Sequence, residues 1–432
     1  MDTHKNFKQG CICIVGGGAA GYFSAIHNKI NNPDLDVVIL EKASKTLRKV
    51  KISGGGRCNV THSCFDPKEL VSFYPRGSKE LLGPFHAFQP ADTMGWFEDN
   101  GVALKIEQDG RVFPQSDSSQ DIVDCLKRKV ESLGVRVFTN CGVNRVSKLV
   151  PDDSNESSDL SSFNILLESG QSFICQKLVL ATGSSPVGYD FSKQLGHSMK
   201  TPIPSLFTFK INERLKPREK VIGRSVLTDL SGCSVSNAEV WLEEKPKDKQ
   251  TGPVLITHWG LSGPAIIKLS AWQARVLFEN YYSCSVIVNW VYSVSSFDSS
   301  TPFLDVKNKS PKKLVLGLSP YKEISLRLWV YLCKRAGILS AQQWHNLSNI
   351  SESRLIQELT TCRFAIDGKG QFKEEFVTCG GVSLNEVNFK TMESKVCKGL
   401  FIVGELLDID GVTGGFNFQN AWTTGFLSGG SV

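Results

Sequence analysis

The sequence predicts an α/β fold: one nucleotide-binding layer built from both ends of the chain, interrupted by an inserted β-rich plus helical domain. Three observations predict it. The apolar run Cys11-Ile12-Cys13-Ile14-Val15 leads straight into Gly16-x-Gly18-x-x-Gly21 and a helical pattern. The same buried-strand texture returns in Lys398-Gly399-Leu400-Phe401-Ile402-Val403-Gly404-Glu405, close to the C-terminus. Between them, after about residue 189, the pattern changes to short alternating segments of the kind that pair as strands.

The first unit can be justified element by element. Gly16 permits a tight turn, Gly18 lets backbone approach a pyrophosphate, and Gly21 lets the helix pack against the sheet, with Gly17 part of the same run. That helix, from Ala19 and Ala20 to about Lys29, points roughly half a positive charge at the phosphates. Glu41 follows Val37-Val38-Ile39-Leu40 about 20 residues on, where a carboxylate accepts ribose hydroxyls. A glycine-rich, basic connection runs to about Asn59. Residues 117–133 read as an amphipathic helix stopped by Gly134, and 135–138 as a strand. A hairpin brackets the polar segment 151–162, and Lys177 to Gly183 reads as a strand ending in Ala181-Thr182-Gly183.

The insertion and the return follow. Strands are expected at 254–256 and 285–288, loops at 243–252 and 293–313, and helices at 321–336 and 353–361. The C-terminal segment then places Asp408, Asp410 and Gly414-Gly415-Phe416-Asn417 before a last helix. A second helix N-terminus of this kind stabilises the negative charge of a reduced flavin, which separates a flavin protein from a simple nicotinamide binder. The expected partition is 1–189 with 377–432 as the nucleotide domain, 190–310 as a β-rich insert and 311–376 as a helical segment.

Composition narrows the class. With 432 residues, 41% hydrophobic and 21% charged, the chain is an ordinary globular protein too long for one core. No run approaches the length of a membrane span. The net charge of +6 is mild, and its local maximum lies between Lys42 and Arg57. That run is either a solvated loop or a phosphate-facing rim; no nucleic-acid module stands beside it, and no nucleic-acid partner is expected. The 13 cysteines show neither CxxC pairs nor zinc spacing, and several sit in apolar strands, so no metal and a reducing, cytoplasmic compartment are expected. No signal peptide is expected before Cys11, and a plastid or other organelle is the alternative if a transit segment is missing from this chain.

Several further motifs resemble one family. These are Ile52-Ser53-Gly54-Gly55-Gly56-Arg57-Cys58-Asn59-Val60-Thr61, Gly110-Arg111-Val112-Phe113-Pro114, Thr257-His258-Trp259-Gly260-Leu261-Ser262-Gly263-Pro264-Ala265, Val377 to Val382, and Gly404-Glu405 through Asn420-Ala421-Trp422. Over nearly the whole chain they are similar to the BaiN/YhiN-like flavoproteins, predicted FAD-dependent oxidoreductases of the two-dinucleotide-binding-domain type. The resemblance implies FAD held by Gly16 to Gly21, Glu41 and Lys42, and by Arg57, Cys58 and Asn59. It implies Val143 near the adenine and Ala181, Thr182 and Gly183 near the nucleotide half. Gly404, Glu405, Gly414, Gly415, Phe416 and Asn417 would approach the ribityl chain and ring. One member is associated with reduction of conjugated double bonds in bile-acid intermediates.

The chemistry expected is hydride transfer between flavin N5 and a small organic substrate, such as a conjugated C=C/carbonyl compound, with NAD(P)H as donor. Alternatives are an oxygen-using amine or amino-ketone oxidase, and a low-turnover flavin-binding redox sensor or partner module. His258, at a strand end, is the candidate proton relay, against a structural histidine bonded to a loop. Arg57 either binds an anionic group or braces its loop. Cys58 and Cys64, six positions apart and about 240° around a helix, are poorly spaced for a redox dithiol.

Overall fold

The computed structural model describes residues 10–149, 162–211, 226–292, 301–370 and 377–430. Residues 151–161 of the expected loop 151–162, and 293–300 of the one at 293–313, lie outside the described residues. The chain forms two compact units, residues 1–202 with 377–432 and residues 203–376.

In the first unit, strands Cys11–Val15, Val37–Leu40 and Arg136–Phe138 lie parallel on one side. Ser172–Leu180 and Leu400–Ile402 continue the parallel sheet on the other side of Cys11–Val15. Every residue of Cys11–Val15 and Val37–Leu40 is buried, as strands covered on both faces should be. Val143–Leu149 and Ser162–Leu167 form the expected antiparallel hairpin, which pairs onto the early part of Ser172–Leu180. The order of strands reverses beside Cys11–Val15, and the carboxyl ends there form the crevice in which open α/β sheets bind ligands.

One helix pairing joins the two ends of the chain. Phe416–Gly429 packs on Ala19–Asn31 so closely that a Cβ at Gly425 would lie 2.8 Å from the Ala20 carbonyl oxygen. A Cβ at Gly429 would lie 2.4 Å from the His27 Cβ. Small residues four apart let two backbones approach, and Ser428 Oγ donates to Ser24 Oγ at 2.8 Å across the contact. His27, buried beside Phe23 and Phe426, is pushed by that burial from 6.5 to about 4.

The second unit centres on a closed antiparallel barrel of six strands: Phe209–Ile211, Gly260–Ser262, Gln250–Ile256, Ser234–Leu242, Ser285–Asn289 and Cys362–Lys369. This departs from the expected division at residue 310. Cys362–Lys369 closes the barrel against both Phe209–Ile211 and Ser285–Asn289. Trp329 and Trp344 share one hydrophobic cluster with barrel residues such as Val240 and Val288, so insert and helical segment are a single body. The expected loop 293–313 contains the helix Thr301–Lys309, whose Phe303 is buried against Trp344. Among the described residues, no helix is long and apolar enough to cross a membrane.

Candidate functional site

The loops that leave neighbouring parallel strands meet at their carboxyl ends. Gly16, Gly17 and Gly18 follow Val15; Glu41 and Lys42 follow Leu40; Ala181, Thr182 and Gly183 follow Leu180; Gly404 and Glu405 follow the strand ending at Ile402. The approach is close. A Cβ at Gly16 would sit 2.4 Å from the Ala181 carbonyl oxygen, and one at Gly21 would sit 2.0 Å from the Gly16 carbonyl oxygen. At Gly18 the same construction meets nothing within 4 Å. The helix that begins at Ala19 has no side-chain cap, so its first amides face this open cradle with the positive end of the dipole. An FAD pyrophosphate fits that cradle, which any larger residue at Gly18 would fill.

Glu41 is already oriented. Its Oε2 accepts the Gly17 amide and its Oε1 the Ala43 amide, both at 2.8 Å. A carboxylate has about four acceptor positions, so two remain for ribose hydroxyls. Lys42 instead pairs with Glu168 at 2.7 Å on the surface. Val143 is buried and opens the strand that pairs Leu167.

Lys49, from the basic run, reaches Glu405 Oε2 at 2.5 Å, and the Thr378 amide donates to Glu405 Oε1 at 3.3 Å. Within the run Lys49 is thus tied to Glu405, while Lys45, Arg48 and Lys51 are exposed. Arg57 is likewise engaged. Its guanidinium donates to Glu107 at 2.7 Å and Asp117 at 3.4 Å and lies 4.0 Å over the Phe113 ring. Of its two readings, these contacts are those of a loop brace. Asn59 fits with its amide nitrogen toward the Thr61 carbonyl at 2.9 Å and its oxygen toward the Gly415 amide at 3.0 Å. It thereby holds the glycine-rich loop to the start of the last helix.

Cys58 is fully buried, and burial pushes its thiol up to about 12; Cys64 rises to about 11. Neither is a thiolate near neutral pH, so the geometry adds nothing to a dithiol role. Asn417 accepts from the Gly411 amide and donates to the Gly411 carbonyl, each at 2.9 Å. Phe416 is buried and stacked on Phe73 at 4.4 Å. These two shape the Gly414–Gly415 turn from behind. His258 is exposed in the turn after Gln250–Ile256, in the second unit.

Sequence reasoning missed the partners that lie far away in the chain. Gln419 accepts from Thr61 at 2.6 Å and Thr93 at 2.9 Å, Tyr74 donates to the Phe416 carbonyl at 2.6 Å, and buried Asp410 pairs with Arg76. Glu386, His197 and Ser394 form a hydrogen-bonded row with 2.9 and 2.8 Å spacings. Ser394 Oγ also accepts the Val396 and Cys397 amides, which makes the row a pin for a short strand rather than a nucleophile.

This arrangement of strand ends, glycine turns and placed acid is that of a Rossmann-type dinucleotide-binding domain, and the family match and relatives that follow make the chain an FAD-dependent oxidoreductase. Residues 11–431 match the HI0933-like protein Rossmann domain, and the chain belongs to that HI0933-like family. It is 27% identical to the 3-dehydro-bile acid delta(4,6)-reductase of Clostridium scindens, covering 97% of this chain and 98% of the relative. It is 28% identical to the ribosomal RNA dihydrouridine synthase of Haemophilus influenzae, covering 96% of each. The protein of that name from Escherichia coli is 29% identical, with 95% of each covered. A flavocytochrome c3 fumarate reductase structure aligns with a TM-score of 0.46 and 16% identity, over 98% of this chain and 78% of that one.

Proposed function

We propose that the chain reduces a carbon–carbon double bond conjugated to a carbonyl, with NAD(P)H as the electron donor. The observation that carries the reading is the pair of full-length relatives named for different substrates. Their names share one bond change. Dihydrouridine differs from uridine by two hydrogens across a double bond conjugated to a ring carbonyl, and the 4,6 double bonds of a 3-oxo steroid are conjugated in the same way. A common chemistry with divergent substrates is what a family built on one cofactor scaffold and a variable insertion would show.

When bound, FAD supplies hydride chemistry at N5. In this reading Gly16 to Gly21 hold the pyrophosphate, Glu41 the adenosine ribose, and the Ala181–Gly183 and Gly404–Glu405 turns the rest of the cofactor. Two electrons and one proton arrive from NAD(P)H as hydride; the β-carbon of the substrate receives hydride, and its α-carbon takes a proton. The test is anaerobic titration of the flavin absorbance with NADPH or NADH, followed by 2-cyclohexen-1-one. Bleaching by the nicotinamide and recovery with the enone are expected. A flavin that nicotinamides leave oxidised, or that only oxygen re-oxidises, overturns the proposal.

A further inference from the structure

All of the chain's net positive charge is carried by residues 203–376; the other unit is slightly acidic. On this basic unit the helices Pro264–Trp272 and Ala274–Glu279, with the turn after them, leave large aromatic side chains in water. Tyr281 is 90% exposed, Phe278 42% and Trp272 39%. Tyr281 and Tyr282 are also held in left-handed backbone conformations, with φ of 53° and 57°. Non-glycine residues adopt that region at a cost, and two in succession concentrate at functional segments.

The rings alternate with charge. The Phe278 and Tyr282 rings lie 6.3 Å apart, and the Lys369 ammonium sits 4.9 Å from the Tyr282 ring centroid. Arg275 lies one helical turn before Phe278 on Ala274–Glu279 and three residues after Trp272, the last residue of the preceding helix. Exposed rings interleaved with cations are the chemistry that captures single-stranded nucleic acid, rings stacking on bases and cations meeting phosphates. A lipid surface would ask for a continuous apolar face, and here Arg275, Glu279 and Lys369 interrupt it. Because Glu279 lies in the same stretch, long-range attraction comes from the charge of the whole unit and contact affinity from the rings.

We propose that this face of the second unit docks single-stranded RNA, reversing the expectation drawn from the basic run alone. The inference deepens the conjugate-reduction reading and rests on it, because the 5,6 double bond of uracil is conjugated to its 4-carbonyl. Two of the similar proteins are, by name, ribosomal RNA dihydrouridine synthases.

The experiment is fluorescence anisotropy of a labelled, uridine-rich RNA of about 12 nucleotides, a length within the usual site sizes, added to the FAD-loaded full chain. Binding that weakens as salt rises is expected. Phe278→Ala and Tyr281→Gly should each weaken it roughly 5- to 150-fold, the loss of one stacked base. Glycine suits the left-handed position, so Tyr281→Gly should retain flavin and melt no lower than the parent while losing RNA. No binding, affinity unchanged in both variants, or binding to phosphatidylserine vesicles in place of RNA overturns the inference. If RNA binds and Tyr281→Gly weakens it while cyclohexenone is never reduced, the docking face stands and the conjugate-reduction reading falls.

Discussion

Two alanine substitutions in the same turn should separate folding from cofactor binding. At Gly21 a Cβ would stand 2.0 Å from the Gly16 carbonyl oxygen, with the Ala181 Cβ at 3.3 Å. Backbone, not a flexible side chain, blocks the space, so the helix must move. Overpacking of this kind costs about 3 kcal/mol, and alanine recovers about 1 kcal/mol of helix propensity. The net loss of about 2 kcal/mol corresponds to a fall in Tm of roughly 4–8 °C for a domain of this size. Gly18→Ala differs in both respects. Its φ of −92° suits alanine, and its Cβ meets nothing within 4 Å; the only cost is a poorer N-cap, about 1 kcal/mol or less. Yet that methyl group would fill the cradle into which the pyrophosphate must descend. The assay is the melting temperature of flavin-free protein together with FAD affinity by fluorescence quenching. Gly21→Ala should lower the melting temperature and flavin affinity together. Gly18→Ala should leave the apoprotein nearly as stable and weaken FAD at least about 10-fold, or 1.4 kcal/mol. Parental FAD affinity in Gly18→Ala would refute the placement of the pyrophosphate at this turn.

Three further outcomes follow from the same geometry. His27 has a folded pKa of about 4 against 6.5 when unfolded. The unfolded chain therefore binds the extra proton, and stability present above pH 6.5 should drain away by about 2.5 kcal/mol on descending to pH 4.5. Urea denaturation of His27→Phe should show a correspondingly shallower pH dependence, and an unaltered profile would remove His27 as its source. Glu405→Gln should change unfolding by less than about 1 kcal/mol, because its Lys49 partner is largely exposed, while measurably weakening FAD; unchanged affinity would make the pair purely structural. Cys58, with a thiol near 12, should resist iodoacetamide in the native protein as judged by mass spectrometry, and Cys58→Ala should reduce enones at the parental rate; fast labelling or lost turnover would revive a redox cysteine.

What could be read from sequence was local, and what could not was distant. Cys11–Val15, the turn at Gly16 and the acid at Glu41 are legible because each is an interaction between residues close in the chain, with a fixed backbone geometry behind it. The helix Ser119–Ser132 is legible for the same reason, since Ile122, Val123, Leu126 and Val130 bury one face. The barrel is not. Phe209–Ile211 has three residues and finds its partner in Cys362–Lys369, a pairing set by closure of the sheet and invisible to any window along the chain. Charges behave alike: the sequence leaves Arg57 open between anion binder and loop brace, and the brace is visible only once Glu107 and Asp117 are brought beside it.

The last helix shows why such a split domain holds together. Its contact with Ala19–Asn31 uses Gly425 and Gly429, which contribute little apolar area themselves but bring two backbones within reach. The same approach sets Gly404 where a Cβ would stand 2.9 Å from the Ala20 Cβ, and the Gly404 amide donates to Thr424 Oγ1 at 3.0 Å. Thus the residue that turns the chain after the last parallel strand is positioned by the helix that follows it and by the helix whose first amides face the glycine cradle. Lengthening a side chain at Gly425 would move Gly404 and the start of the first helix together, so cofactor loss should accompany any loosening of this packing. A Gly425→Val protein that melts lower yet keeps parental FAD affinity would show that helix docking and cofactor geometry are independent.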